Sequence, residues 1–368
     1  MTPRRSLSRR ELMVVAGGAA LLPACAPGFQ LPASATFDEL LERVHGTDPE
    51  IHNGLTNHAP MAAEALVTLE LADRAVPFVN EHSKTLDPMQ PGKVLGADEH
   101  DGALGVNARR FDWIATWSTG VETTAPAALL QREWPNLCAG YLADLCHGPI
   151  RTAHALRSLA REDTSRRRVE FAHALGAWSA YEFPLAGKPG AHAVAGRDLV
   201  QVLESIPVLP KAQRKSGAID AMCAPLAASQ DFIDAVESVD LSVWDPSRTI
   251  TELTAAAARA FIVEPNIFLL HAVTGASAAR LLLPALDVTQ HTSLLACAFH
   301  SVASILAISQ TQAGLPAPAA SPTSLDAQKA RAATSFDGHV IKLTEVAFRE
   351  SAIDPRPEFV IAASVWRK

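Results

Sequence analysis

The sequence predicts an all-α protein: one large multi-helix domain with long loops and little or no β structure. Three observations predict it. Apolar residues recur at helical spacing along almost the whole chain. Ala and Leu, the strongest helix formers, are abundant, while aromatic residues make up only 6%. Period-two alternation is confined to short possibilities at 94–95 and 359–361. The chain has 368 residues, 48% apolar and 19% charged. That is enough to bury a full core without disulfides, and too apolar for a disordered chain.

Residues 1–28 read as a removable address. Arg4, Arg5, Arg9 and Arg10 precede an apolar stretch over 12–22, too short to span a bilayer, and then small residues. The run Ser8-Arg9-Arg10-Glu11-Leu12 looks like a twin-arginine signal. It implies the twin-arginine export machinery as a partner and export of an already folded protein to the periplasm or beyond. Cleavage is expected near Ala24–Ala26. The alternative is a lipoprotein anchored at Cys25, although Pro23 fits that cleavage box poorly. The segment holds four basic residues and one acidic, so its removal takes the formal charge from −7 to −10. An acidic chain has no basic face for nucleic acid. No transmembrane segment is expected after the signal.

The mature part is expected to be one domain, 29–368. A linker over 26–36 leads to Thr36, which opens an amphipathic stretch at 37–41. Helical periods then cover 61–67, 134–159, 167–181, 250–261, 271–286 and 294–311. Asp87-Pro88, Asp245-Pro246, Glu264-Pro265 and Asp354-Pro355 punctuate them. Residues 87–110 and 314–322 read as long loops.

Familiar catalytic motifs are absent. There is no G-x-G-x-x-G, no P-loop, no H-E-x-x-H and no G-x-S-x-G. The five cysteines, at 25, 138, 146, 223 and 297, form no C-x-x-C. Cys138, Cys146 and Cys297 lie in apolar runs and read as buried reduced thiols.

The thirteen histidines are more informative. His58, His147, His154, His271, His300 and His339 fall in or beside apolar runs, where an unpaired or charged imidazole is costly. For one such residue a hydrogen bond to a carbonyl suffices as explanation. As a set they suggest a metal site, because neutral imidazole is the commonest metal ligand and helical bundles build such sites from inward-facing residues. His154 follows His147 by seven residues on the same helix face, with Arg151 between. His45, His52, His82, His100 and His192 lie in polar contexts and read as surface residues. His173 and His291 fit either reading.

Four short motifs occur in order: Thr56-Asn57-His58-Ala59-Pro60-Met61-Ala62, Leu145-Cys146-His147-Gly148-Pro149-Ile150-Arg151-Thr152-Ala153-His154-Ala155, Leu270-His271-Ala272-Val273-Thr274 and Asp337-Gly338-His339-Val340-Ile341-Lys342. Together they resemble the questin oxidase-like family, from about Phe37 to Ser364. The resemblance implies a mainly α-helical fold. It implies oxidases that open or cleave the rings of anthraquinone-type polyketides, formally by Baeyer–Villiger oxidation or dioxygenation. It also implies one non-haem Fe(II) held by His58, His147, His271, His339 and a carboxylated Lys342. His339 and Lys342, three apart, share a helix face. A buried lysine loses its proton readily, and the free amine can take up carbon dioxide. The resulting carbamate is an anionic oxygen ligand that suits iron beside imidazole. The residues alone favour reading Lys342 as an ordinary surface lysine paired with Glu345 or Glu350.

His154, Arg151 and Asn57 form the expected catalytic set. His154 and Arg151 could orient ligands or meet an acidic substrate group; Arg151 in a helix salt bridge is the plainer reading. The chain departs from fungal members in being shorter, in its export signal, and in His154 where they often have an aromatic residue. The expected function is therefore an exported iron-dependent oxygenase acting with O2 on a small aromatic or polyketide-like compound. One alternative is an NADPH-dependent Baeyer–Villiger-type oxidase, against which the missing dinucleotide motif and export both count. The other is a non-enzymatic periplasmic helical binding protein.

Overall fold

The computed structural model describes residues 30–51, 54–311, 313–315 and 323–367. The signal region, Cys25 and His52 lie outside the described residues. Among them the protein is all-α, with seventeen α-helices and one small three-stranded sheet.

The N-terminal layer holds α1 (Phe37–His45), α2 (Ala59–Thr68) and α3 (Ala72–His82). Thr36 and Glu39 close a capping box that starts α1 where the sequence indicates. Between and after these helices run β1 (Thr47–Ile51), β2 (Leu55–Thr56) and β3 (Leu86–Pro88), in antiparallel order β2-β1-β3. The strand possibilities at 94–95 and 359–361 are not strands. Val94 and Leu95 lie in an unpaired extended segment, where the Leu95 N–H is taken by the Thr116 hydroxyl at 2.8 Å. Residues 359–361 lie inside α17 (Pro357–Val365). An apolar triplet satisfies both periods, and length decides for helix.

The main core is built by α4 (His100–Ala103), α5 (Arg110–Thr123), α6 (Pro126–Leu137), α7 (His147–Arg161) and α8 (Ser165–Ser179). The short helices α9 (Leu199–Glu204), α10 (Ile219–Cys223) and α11 (Gln230–Glu237) follow. The long helices α12 (Pro246–Val263), α13 (Ile267–Leu282) and α14 (Val288–Ser309) close the core. Asp245 caps α12 through the Arg248 N–H, with Pro246 at its first position. By length and composition, 267–285 and α14 could each cross a membrane, but most of each is buried inside the protein. The C-terminal layer is α15 (Leu325–Thr334), α16 (Gly338–Ile353) and α17.

The 134–159 pattern predicts one continuous helix, and the chain corrects this. α6 ends at Leu137, and α7 starts only at His147. Between them Asp144, Leu145 and Cys146 all take left-handed backbone, with φ of 46°, 53° and 63°. None is glycine, so each costs roughly 1–2 kcal/mol. Tertiary contacts hold the break: the Tyr141 hydroxyl donates to the Gly275 carbonyl at 2.9 Å. A Cβ on Gly275 would meet Cys146 at 2.9 Å, so the glycine lets this segment close on α13.

Four helices position the site. α2 packs on α7, α7 on α13, α13 on α16, and α16 back on α2. This closed ring gathers residues distant in sequence.

Candidate metal centre

Each helix of the ring brings one histidine. His58 immediately precedes α2, His147 is the first residue of α7, His271 lies in the second turn of α13, and His339 opens α16. The Nε2 atoms of His58 and His147 lie 2.9 Å apart, and those of His147 and His271 3.1 Å apart. The three ligand atoms lie within 4.8 Å of one another. His339 adjoins them, its ring centroid 4.5 Å from that of His58 and 5.3 Å from that of His271.

The hydrogen-bond pattern sets the tautomers. His147 Nδ1 faces the Asp144 carbonyl at 2.5 Å, and His271 Nδ1 faces the Ile267 carbonyl at 2.7 Å. A carbonyl only accepts, so both Nδ1 atoms carry the hydrogen. Burial holds both imidazoles well below their usual pKa, and Lys342 adds to the effect. They are therefore neutral, and two bare Nε2 lone pairs face each other at 3.1 Å. In these tautomers neither Nε2 carries a proton, and a cation placed between them would relieve the repulsion. Imidazoles anchored through the far nitrogen are the usual arrangement around a metal. The His58-His147-His271 cluster is thus compatible with a bound metal ion. At His339 the Asp337 carboxylate receives both the backbone N–H and Nδ1, each at 2.9 Å.

Lys342 is not a surface lysine. It is 1% exposed, and its Nζ has no hydrogen-bond partner. Glu345 pairs with Arg157 and Arg349, and Glu350 with Arg280, so neither takes Lys342. Its charge depresses His58, His147 and His271, which places it beside them. Burial pushes its ammonium down to about 7, so a free amine is accessible near neutral pH.

The expected catalytic set fares differently. His154 does not join the cluster; its Nδ1 meets the Glu64 carboxylate at 2.6 Å. It does line, with Lys342, Thr274 and Arg349, a small cavity with room for about one water-sized molecule. Arg151 forms a buried bidentate pair with Glu170 on α8, at 2.7 and 2.9 Å. This is the plainer salt-bridge reading, but across two helices, and its charge is matched within the protein. Asn57 is committed to structure. Its amide donates to the Thr47 hydroxyl and the Asp48 carbonyl and accepts the Ala59 N–H at 2.9 Å. These bonds fix the backbone on either side of His58.

Sequence reasoning missed Asp144. Its carboxyl accepts from the Thr56 hydroxyl at 2.5 Å, and burial pushes it up to about 7. Nothing in its local sequence marks the left-handed turn that buries it. His45, His82 and His100 are half-buried, not surface residues. His45 bonds Glu170 at 3.1 Å, the His82 ring lies 6.5 Å from His58, and His100 packs on Trp113 at 4.9 Å. His192 is exposed as expected. His173 is buried, His291 reaches the Leu286 carbonyl, and His300 bonds the Ala186 carbonyl.

Glycines let the elements approach. A Cβ on Gly338 would come within 3.2 Å of His58. One on Gly148, beside His147, would sit 2.5 Å from the buried Trp178 ring. Gly148→Ala should therefore cost about 1–3 kcal/mol by overpacking and displace His147. Thermal unfolding and metal titration of the variant check this; unchanged values in both would refute it.

No protein-family model matches the chain, and no curated protein matches it.

Proposed function

We propose that this chain is an exported non-haem iron oxygenase that cleaves, or inserts oxygen into, the ring of a small aromatic or polyketide-like compound. The observation that carries the proposal is the convergence of three neutral imidazoles, two of them anchored to backbone carbonyls, beside an orphaned buried lysine. His58, His147 and His271 would hold the metal, with His339 and Lys342 completing the set. Iron bound there would supply one-electron chemistry with O2. The four motifs that carry the family resemblance are the segments that meet at this point.

The protein's own groups then have definite tasks. The Asp144 and Ile267 carbonyls hold two ligand tautomers, and Asp337 orients His339. Lys342, as free amine, attacks carbon dioxide; the new C–N bond forms and one proton leaves to water. The carbamate matches the charge of a cation that an ammonium would repel. His58 is the more open ligand, and His82 flanks it. Phe78 packs against His82 and Trp366 against His339, so buried aromatic rings back this side of the cluster.

The test is metal analysis of full-length protein purified from envelope and cytoplasmic fractions of its native host. About one iron per exported chain is expected. Bicarbonate should raise iron retention in wild type but not in Lys342→Ala, whereas Lys84→Ala, exposed and paired with Glu81, should behave as wild type. A metal other than iron, or bicarbonate-independent retention, would overturn the iron or the carbamate respectively. Recovery in the cytoplasmic fraction alone would remove export.

A further inference from the structure

The start of α14 lies alongside the end of α6 and runs in the same direction. The Gln290 amide donates to the Gln131 carbonyl at 2.8 Å, and the Trp134 indole N–H donates to the Ser293 hydroxyl at 2.7 Å. Both rungs join residues 159 apart. The next pair at that offset, about one turn on, is Cys138 and Cys297. The two side chains lie close enough to shift each other's ionisation, and the Cys138 thiol donates to the Pro135 carbonyl at 3.4 Å. Both are half-buried free thiols, which corrects the reading of them as fully buried hydrophobes.

We propose that Cys138 and Cys297 are a redox pair that closes to a disulfide, tying the turn after α6 to α14. The pair is independent of the imidazole cluster. The two hydrogen bonds hold α6 and α14 in register up to the position of this pair. The two thiols are also unequal. The interaction with Cys297 draws the Cys138 thiol down to about 7, while that interaction and burial hold Cys297 well above the usual thiol value. Cys138 is therefore the attacking thiolate. Cys146 and Cys223 are pushed up by burial, Cys223 to about 12, and stay reduced.

The step balances with an external disulfide, such as that of a thiol–disulfide oxidoreductase or glutathione disulfide. The Cys138 thiolate attacks one external sulfur, forming a mixed disulfide and releasing a thiolate. Cys297 loses its proton and attacks the Cys138 sulfur, which breaks the mixed disulfide and releases the second external thiolate. The protein loses two protons and two electrons, and the external disulfide becomes two thiols. Such oxidants belong to compartments outside the cytoplasm.

Full-length protein equilibrated with glutathione at increasing oxidised-to-reduced ratio, acid-quenched, alkylated and digested without reductant tests this. Peptide mass spectrometry should find the Cys138 and Cys297 peptides joined, lighter by two hydrogens than their sum. Cys146 and Cys223 should alkylate only after denaturation. In Cys297→Ser, Cys138 should stop at the mixed disulfide with glutathione; in Cys138→Ser, Cys297 should stay unmodified. Wild type in which both cysteines remain alkylatable at every ratio would overturn the proposal. So would a mixed disulfide that never resolves, or a link from either cysteine to Cys25. The readout is a peptide mass, so it does not depend on whether the imidazole cluster holds iron.

Discussion

Replacing His147 with Ala is expected to lower metal affinity by more than about 100-fold, since partners outside the ligand set alone typically account for 10–100-fold. His147 is the central member of the imidazole cluster. Its Nε2 stands 2.9 Å from that of His58 and 3.1 Å from that of His271, whereas the rings of His58 and His271 are 6.4 Å apart. Metal at about 100 times its Kd stabilises a folded protein by about 2.7 kcal/mol. For a chain of this size that is a rise in Tm on the order of 4 °C. Wild type should show that rise on adding ferrous iron under anaerobic conditions, and His147→Ala should not. The metal-free proteins should differ much less, because the substitution also removes one of two facing lone pairs. An equal rise in both would sink the assignment of His147 as a ligand.

The second large effect lies in the charged network behind the ring. Glu64, 2% exposed, accepts from His154 at 2.6 Å, from Arg157 at 2.9 Å, and pairs with Arg161 at 2.7 Å. Arg157 also donates to Glu345, which Arg349 holds at 3.0 and 3.1 Å. Glu64→Gln leaves Arg157 buried with one carboxylate fewer, and breaking such a pair costs about 3–5 kcal/mol. A fall in Tm of roughly 4–7 °C is expected. The network also sets the acid response. Burial pushes the Glu345 carboxyl up, but Arg157 and Arg349 outweigh it and hold it down to about 2. Glu170 is held down to about 2 against burial in the same way by Arg151 and His45. A carboxyl with a folded pKa below its unfolded value of about 4.3 stabilises the fold fully above that value. The contribution, on the order of 3 kcal/mol each, is lost as pH falls from about 5 towards 2. Tm measured against pH should drop steeply over that window. A flat profile between pH 5 and 3, or a Glu64→Gln variant as stable as wild type, would refute this account.

The helical class was readable because it depends on local periodicity. Apolar spacing of 3.6 and caps such as Thr36 and Asp245 act within a few residues, and α1, α2, α8 and α12 fall where those signals stand. Start positions were less readable. α14 begins at Val288, ahead of the apolar pattern that marks it, because the first turn is polar and stands on its capping box. The break before α7 was not readable at all. Asp144, Leu145 and Cys146 carry no local preference for left-handed backbone, and contacts with α13 impose it.

The site divides along the same line. By itself the sequence determined that several imidazoles lie in apolar surroundings and so must be neutral and anchored. Which of them meet was decided only by the tertiary structure. His300 has the same kind of neighbours in sequence as His271, yet one ends at the Ala186 carbonyl and the other at His147. Arg151 shares a helix face with His147, but Glu170 on another helix claims it. Lys342 reads as one exposed lysine among others until α2, α7, α13 and α16 close around it and leave its Nζ without a partner. Burial is a property of the assembled ring of helices. Desolvation, which shifts these groups and makes them reactive, therefore has no signature in the order of residues along the chain.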